Sequence, residues 1–572
     1  MRLRWVVVCL FIAMAASVTG YGAPIADSGG RDVSVALFST RSLHAVTITP
    51  VGSGAWLARC ATCAHEALTT PLHVAGRMDV LAGGMLKVTD DASGEGRTAA
   101  GLWHLRASGG GVDVVLTLPS ERYVAAVLNA EAAAGEPPES LRALAILART
   151  YALHGRHYVA QPGHLTAELC DSTECQAMIP GPVSQAIEDA TWSTAGETLW
   201  FGGRRAKVFF SQSCGGVTED GGTVWPGLRG VSYLRSHADP YCVRRDAAAW
   251  HAEVTLAEFG AIAKAEGWRL PEKIVAARVA ERSVSHRALR IAFSGSGGAT
   301  GMVSASALRF GIGRALGWNR VRSDAYEVGV RNGAVVFDGK GHGHGVGLCQ
   351  EGSAEMATEG KSAREILAFY FPGTAVRILA GDEGWQVGKV GPIRSRVTEA
   401  MSAGRKAELE GTWREALKRF PPRREVDPEI VFAPTTEMFR QMTGQPGWEL
   451  ASMKGGRIVL QPVSILRQNG KDVPETLLHE MLHVLVEGEA SGRAPLWLRE
   501  GLVEVLAGDA EKGVHGAMTT AEIESALGRT DSLRASQHAH TAAAAKVRTL
   551  MGRYGFSTVR GWLSTGVPSG VE

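Results

Sequence analysis

The chain lacks a surplus of charge of either sign. Its 60 Lys and Arg face 58 Asp and Glu, for a net charge of +2. With no extended basic patch, the electrostatic footprint of a nucleic-acid binder is missing. It also lacks an apolar run long enough for a permanent membrane span: Trp5 to Val18 falls short of the roughly 20 residues such a helix needs. Cysteine is scarce, 8 in 572 residues, and absent after Cys349. Whatever folds beyond that point stands on its apolar core and on any metal it holds. No internal repeat and no long low-complexity segment interrupts the chain, whose length suggests about three or four domains.

What is present at the start reads as a secretory signal. Arg2 and Arg4 precede the apolar run, which ends in Thr19-Gly20-Tyr21-Gly22-Ala23, the order of charge, apolar core and small residues that export requires. Residues 1–22 are therefore expected to be removed, with cleavage near Gly20 to Ala23, and the protein to reach the periplasm, cell envelope or exterior. Cys9 follows Val8 rather than a small residue, which does not suit lipid modification. An oxidising compartment favours disulfides. Cys60, Cys63, Cys170, Cys175, Cys214, Cys242 and Cys349 remain after cleavage, an odd number that leaves one unpaired. Spacing does not fix connectivity; Cys60 with Cys63 and Cys214 with Cys242 are the first pairings expected.

The most chemically specific stretch is His479-Glu480-Met481-Leu482-His483, followed by Trp497-Leu498-Arg499-Glu500-Gly501. Leu477, Leu478, Met481, Leu482, Leu485 and Val486 recur at helical spacing, and positions four apart on a helix share a face. His479 and His483 can then reach one ion, with Glu480 placed to take a proton from a water that the ion acidifies. A third ligand is needed, and Glu500 is the choice because it opens a second apolar-patterned segment, Glu500 to Leu506, after the break at Gly492 and Pro495. These blocks resemble the gluzincin metallopeptidases, specifically the bacterial peptidase MA-like domains. The resemblance implies Zn2+ held by His479, His483 and Glu500, Glu480 as general base, and a peptide or protein substrate. Glu504 is a candidate to orient a ligand. Short strands are expected at Glu429 to Phe432 and Arg457 to Leu460, and in gluzincins such a strand pairs with the extended peptide. Val547 to Met551 and Tyr554-Gly555 resemble the family's final helices; Tyr554 is weighed between an oxyanion role and packing.

A second candidate centre lies upstream. Glu131 ends the apolar stretch from Tyr123, and a helix-period segment follows from Ser140 to Leu153, with Pro138 suited to its first turn. Alone, such a carboxylate is ordinarily a solvated surface group. Its context is Glu139-Ser-Leu-Arg142-Ala-Leu144-Ala-Ile-Leu-Ala-Arg149-Thr150-Tyr151-Ala152, then Phe209 to Glu219, Gly343 to Gly352 and Glu365 to Thr374. In this order the blocks resemble the sporulation stage II protein D and LytB family of envelope proteins acting on peptidoglycan, over roughly Asp32 to Ala380. Arg142 and Leu144 replace the Lys and Gln usual there, and His342 stands where Trp is frequent. The resemblance implies lytic cleavage of glycan strands with Glu131 as the single catalytic acid and base, and Arg142, Arg149, His344 and Gln350 as substrate-binding residues. For Arg149 a structural ion pair is an equal alternative. LytB-type relatives also suggest another role, a non-catalytic enhancer or binding module for a wall amidase.

The dense glycines from Gly341 to Gly347 lack the Lys-Ser/Thr ending of a phosphate loop and imply close approach to a ligand or to a neighbouring strand. His164, Cys170 and Cys175 match a His/Cys set that binds zinc in some relatives, with a Cys170–Cys175 disulfide as the other reading. The fold class expected from these patterns is α+β: a β-rich lobe over 32–117, an α+β core over 118–380, a charged helical linker over 381–423, and a mostly helical peptidase-like domain with a small sheet over 424–572.

Overall fold

The computed structural model describes residues 32–571 apart from 53, 61, 155–163, 246–248, 380–384, 469–472, 492, 509–517 and 528–532. The expected signal segment, Cys9 and the break at Gly492 lie outside the described residues. The fold is α+β, its helices and strands divided among several sheets and cores.

The first lobe is a nine-stranded sheet. Its centre is a long antiparallel hairpin, Met78–Asp90 against Gly96–Ser108, joined by Gly111–Pro119 and then Asp32–Ala36. Alternation does the sorting. Val33 and Val35 point inward while Asp32 is exposed, as a sheet covered on one face requires. The chain leaves this sheet at Pro119 and enters the helix Ser120–Glu131, whose successor Ala132 is extended, so Glu131 is its last residue. The next helix, Pro138–His154, is apolar on more than one face because it lies between two cores. Leu141, Leu144, Ala145 and Ala148 pack into the sheet lobe, whereas Ala143, Ile146 and Leu147 pack with Val346, Leu348 and Phe371. A smaller unit between Ala249 and Lys340 has two three-stranded sheets and its own core around Phe259, Phe293 and Phe337.

The last unit is built on a five-stranded sheet, in the order Gln386–Val390, Ile393–Val397, Glu429–Phe432, Arg457–Leu460, Ala451–Lys454. The expected linker over 381–423 is thereby corrected. Its hairpin supplies two strands of that sheet, and its helix Ala403–Arg419 buries Leu409, Trp413 and Ala416 in the same core as Met481 and Trp497. The charges that suggested a linker belong to the solvent face of an amphipathic helix. A second correction concerns the strands expected to receive a peptide. Glu429–Phe432 and Arg457–Leu460 both form, but each is paired on both sides; among the described residues the edge strands of the sheet are Gln386–Val390 and Ala451–Lys454.

The two halves are joined by buried charge. Glu197, 2% exposed, pairs with Arg396, Arg457 and Arg364, and Glu429 pairs with Arg396 and Arg457. Burial pushes both carboxyls up, but the surrounding guanidiniums prevail, holding Glu197 far below the usual range and Glu429 at about 2. Beside them Gly196, at φ +73°, lies so close to the Gln441 carbonyl that a Cβ would sit 2.7 Å from it.

Candidate functional sites

His479 and His483 lie on the helix Val473–Glu487, with their Nε2 atoms 3.2 Å apart. The helix Leu496–Ala507 brings in Glu500, whose Oε2 is 3.3 Å from His483 Nε2. One donor atom from each of the three lies within 4.8 Å of the others. Glu524 anchors the start of that second helix by accepting from the amides of Leu496 and Trp497 at 2.9 and 2.8 Å, a carboxylate at the positive end of the helix dipole. Gly501 explains the Glu-Gly pair: a Cβ there would stand 2.5 Å from the Ala543 carbonyl. The helix Leu533–Tyr554 can therefore press against the helix bearing Glu500 and deliver His540, whose Nδ1 is 3.0 Å from Glu504 and 3.6 Å from Glu500.

The electrostatics of this cluster are strongly polarised. Burial keeps His479 neutral, down to about 4, and pushes Glu480 up to about 7. At His483 burial opposes charge, but the Glu500 carboxylate overcomes it and raises the imidazole to about 9. Glu500 in turn falls well below the usual carboxylate range despite its burial. Burial likewise disfavours a charged His540, and the Glu504 hydrogen bond outweighs it. Two imidazoles and a carboxylate with an adjacent buried Glu are a donor set that suits zinc with a position left open. Glu504 pairs with His540 and interacts electrostatically with His479. His540 and Glu449, whose carboxyl is raised by burial and feels both His540 and Glu500, were missed from the sequence. Neither has a local motif, since each reaches the site from another element. Tyr554 is half-buried against Trp562, 5.5 Å between ring centres, a packing role.

Glu131 is half-buried at its helix end. Burial raises its carboxyl, against a hydrogen bond from the Ala177 amide. Gln350, the first residue of the helix Gln350–Thr358, donates from Nε2 to the Glu131 carbonyl at 3.1 Å. Its side chain thus holds the end of the Glu131 helix. His344 is partly exposed, accepts from the Val346 amide at 3.0 Å and sits 5.0 Å from the Trp225 ring. Burial first, then Arg287 and Arg309, hold it at about 3 and so neutral. Gly347 allows a close approach of the chain just before the strand Phe210–Ser211: a Cβ there would lie 2.2 Å from the Phe209 carbonyl.

Other expected residues are committed elsewhere. Arg149 is fully buried, its Nε 2.8 Å from Glu121 and its Nη1 3.1 Å from the Glu197 carbonyl, which leaves no face for a sugar. Arg142 pairs with Glu139 and donates to Ser193 at 3.2 Å. The possible zinc set at His164 is corrected: Cys170 and Cys175 are joined in a disulfide, and His164 pairs with Asp113 at 2.6 Å. Sulfurs bonded to each other cannot serve as thiolate ligands. Cys60–Cys63 forms as expected, whereas the Cys214–Cys242 bridge does not; Cys214, Cys242 and Cys349 are free.

Residues 108–201 match the model of the SpoIID family, described as stage II sporulation protein. Stage II sporulation protein D of Bacillus subtilis (strain 168) is 25% identical over 279 residues, covering 46% of this chain and 75% of that protein. An uncharacterized protein of Brachyspira hyodysenteriae is 28% identical over 283 residues, covering 46% of this chain and 68% of that protein. Stage II sporulation protein D of Bacillus amyloliquefaciens is 24% identical over 276 residues, covering 46% and 75%. The family match contains Glu131, Arg142 and Arg149 and ends far upstream of His479. Residues 108–201 are thus similar to the SpoIID family, and the unit built around His479, His483 and Glu500 is joined to the preceding part of the chain through the Glu197 network.

Proposed function

We propose that this is an exported envelope protein of two catalytic parts, in which the SpoIID domain cleaves peptidoglycan glycan strands and the C-terminal unit is a zinc-dependent peptide hydrolase. The relatives' names connect the first part to sporulation, and cell-wall remodelling is the chemistry proposed for it. The observation that carries the second part is the meeting of His479, His483 and Glu500 within 4.8 Å. Zinc held there would supply Lewis acidity to a water and a peptide carbonyl. Glu480, 8% exposed and next to His479 in the chain, would be the group that accepts a proton from water there. His540 lies 3.6 Å from Glu500 and would place a positive charge beside it, and the edge strand Ala451–Lys454 is the one with which an extended peptide would pair.

For glycan cleavage, Glu131 in its acid form protonates the glycosidic oxygen and then accepts the proton of the muramic 6-hydroxyl as it closes on the anomeric carbon. A half-buried carboxyl with a raised pKa suits the first step, and no second carboxylate is required. Full-length protein incubated with purified sacculi tests both parts: anhydro-sugar products should vanish in Glu131→Gln, and peptide cleavage in Glu480→Gln. The commitment of Arg142 and Arg149 to internal ion pairs favours a second reading, in which the SpoIID domain is an enhancer of a wall amidase. In that case the Glu480→Gln chain releases no sugar product alone and accelerates the amidase when it is added.

A further inference from the structure

A third cluster shares no residue with the two proposed centres. Cys214, Cys242 and Cys349 are buried together, 2%, 0% and 0% exposed, around Asp239 at 0%. One donor atom of each lies within 4.8 Å of the other three. They come from separate segments: Cys214 from the loop after the strand Phe210–Ser211, Cys242 from the helix Pro240–Arg244 that Asp239 caps, and Cys349 from the strand Leu348–Cys349.

Buried free cysteines are often small hydrophobes, and one oxygen of Asp239 is accounted for by ordinary structure, since Oδ1 accepts from the Cys242 amide at 3.0 Å as a helix cap. The other oxygen, Oδ2, accepts from the Cys214 thiol at 3.2 Å and from Tyr370 OH at 2.8 Å, so the carboxylate is hydrogen-bonded by neutral groups alone. Among the described residues Asp239 has no ion-pair partner, in contrast with the buried Glu197 and its three arginines. A carboxylate sealed from water without a cation is costly, and three thiols around it supply no positive charge. Polar groups surround two of the sulfurs: Cys349 Sγ receives the amides of Cys214 at 3.2 Å and Gly352 at 3.4 Å, and Ser213 Oγ lies 3.4 Å from Cys242 Sγ. The space is shaped to the group, since a Cβ on Gly352 would meet Tyr370 OH at 2.1 Å and Asp239 Oδ2 at 2.6 Å.

We infer that Cys214, Cys242, Cys349 and Asp239 form a structural site for a thiophilic divalent cation, zinc by preference. Three sulfurs and one monodentate oxygen complete a tetrahedron, whose sulfur–sulfur edges at zinc–sulfur distances of about 2.3 Å would be near 3.8 Å. With four protein ligands no position is left open, which marks the site as structural rather than catalytic. Binding displaces the thiol protons to solvent, and Tyr370 and the amides on Cys349 become its outer support. The site pins Cys349 immediately before Gln350, the residue that holds the Glu131 helix end, so it braces the segment beside the proposed glycan carboxylate.

The test uses the full chain, purified under reducing conditions, with His479→Ala and His483→Ala combined to remove the other proposed metal centre. One equivalent of zinc should remain, and X-ray absorption at the zinc edge should show sulfur scatterers at about 2.3 Å. Cobalt exchanged into this variant should give an intense thiolate charge-transfer band, and Cys242→Ser should weaken or remove it. Retained zinc with only nitrogen and oxygen neighbours would overturn the site. So would metal-free, folded protein whose three thiols are all recovered reduced, or a Cys214–Cys242 disulfide on peptide mapping. Because the variant lacks the His479 centre, failure of the peptidase reading leaves these outcomes unchanged.

Discussion

The His479 centre and the Glu131 centre are assembled in opposite ways. In the first, two proposed ligands and the proposed base come from one helix, and the third proposed ligand from a neighbouring helix sharing its core. In the second, a single carboxylate stands at a helix end, held by Ala177 and by Gln350, the latter 219 residues away. A centre written within one helix carries its own geometry, whereas one written across the chain depends on everything between. The two should therefore fail differently.

The largest separation comes from removing each acid alone. Glu480→Gln should lower peptide hydrolysis by roughly 10²–10⁴-fold while zinc content stays at the wild-type value and anhydro-sugar release is untouched. Glu131→Gln should do the reverse by a similar factor. Loss of both activities in either variant, at unchanged folding by circular dichroism, would show that the halves share one active site.

The joint between the halves is the next place to break the comparison. Glu197→Gln leaves Arg396 and Arg457 short of a buried partner and should destabilise the protein by roughly 3–5 kcal/mol, read by urea unfolding. Because Glu197 and Glu429 are held below the usual range, their contribution to stability is fully present above the unfolded carboxylate value near 4.5. It is lost as pH falls towards the folded value of about 2 for Glu429. Acid unfolding of the Glu197→Gln chain should be shallower across that window. A smaller effect is expected from Gly501→Ala, whose methyl must displace the helix bearing His540: about 1–3 kcal/mol in stability, with weaker zinc retention as the local readout.

The same contrast explains what was legible in the sequence. The motif helix, its partner and the short strands Glu429–Phe432 and Arg457–Leu460 follow from periodicity and turn residues, and the structure forms all four. His540 and Glu449 carry no pattern of their own; only packing brings His540 within 3.6 Å of Glu500 and Glu449 into the field of both. Charge misled twice. The helix Ala403–Arg419 reads as a linker until its Leu409 and Trp413 are seen to be buried, and Arg149 reads equally as a substrate contact until Glu121 is found beneath it. Cysteine spacing misled once: Cys214 and Cys242 are near in sequence, but the third sulfur and Asp239 that share their pocket are brought together only by the fold.

The finest discrimination between the centres is in pH. Burial raises the Glu131 carboxyl above its ordinary value of 4.5, and the first step of the proposed glycan cleavage needs its protonated form. Release of anhydro-sugar by the Glu480→Gln chain should therefore persist above the pH at which an exposed glutamate has ionised, and then decline as Glu131 loses its proton. Replacing Gln350 with Ala frees the end of the Glu131 helix without touching the carboxyl itself. If that added mobility lets water reach the carboxylate, desolvation weakens and the declining limb moves to lower pH by a fraction of a unit, with product release still measurable. A limb that stays in place would mean that the Ala177 side alone sets the environment of Glu131, and that Gln350 contributes no more than backbone anchoring.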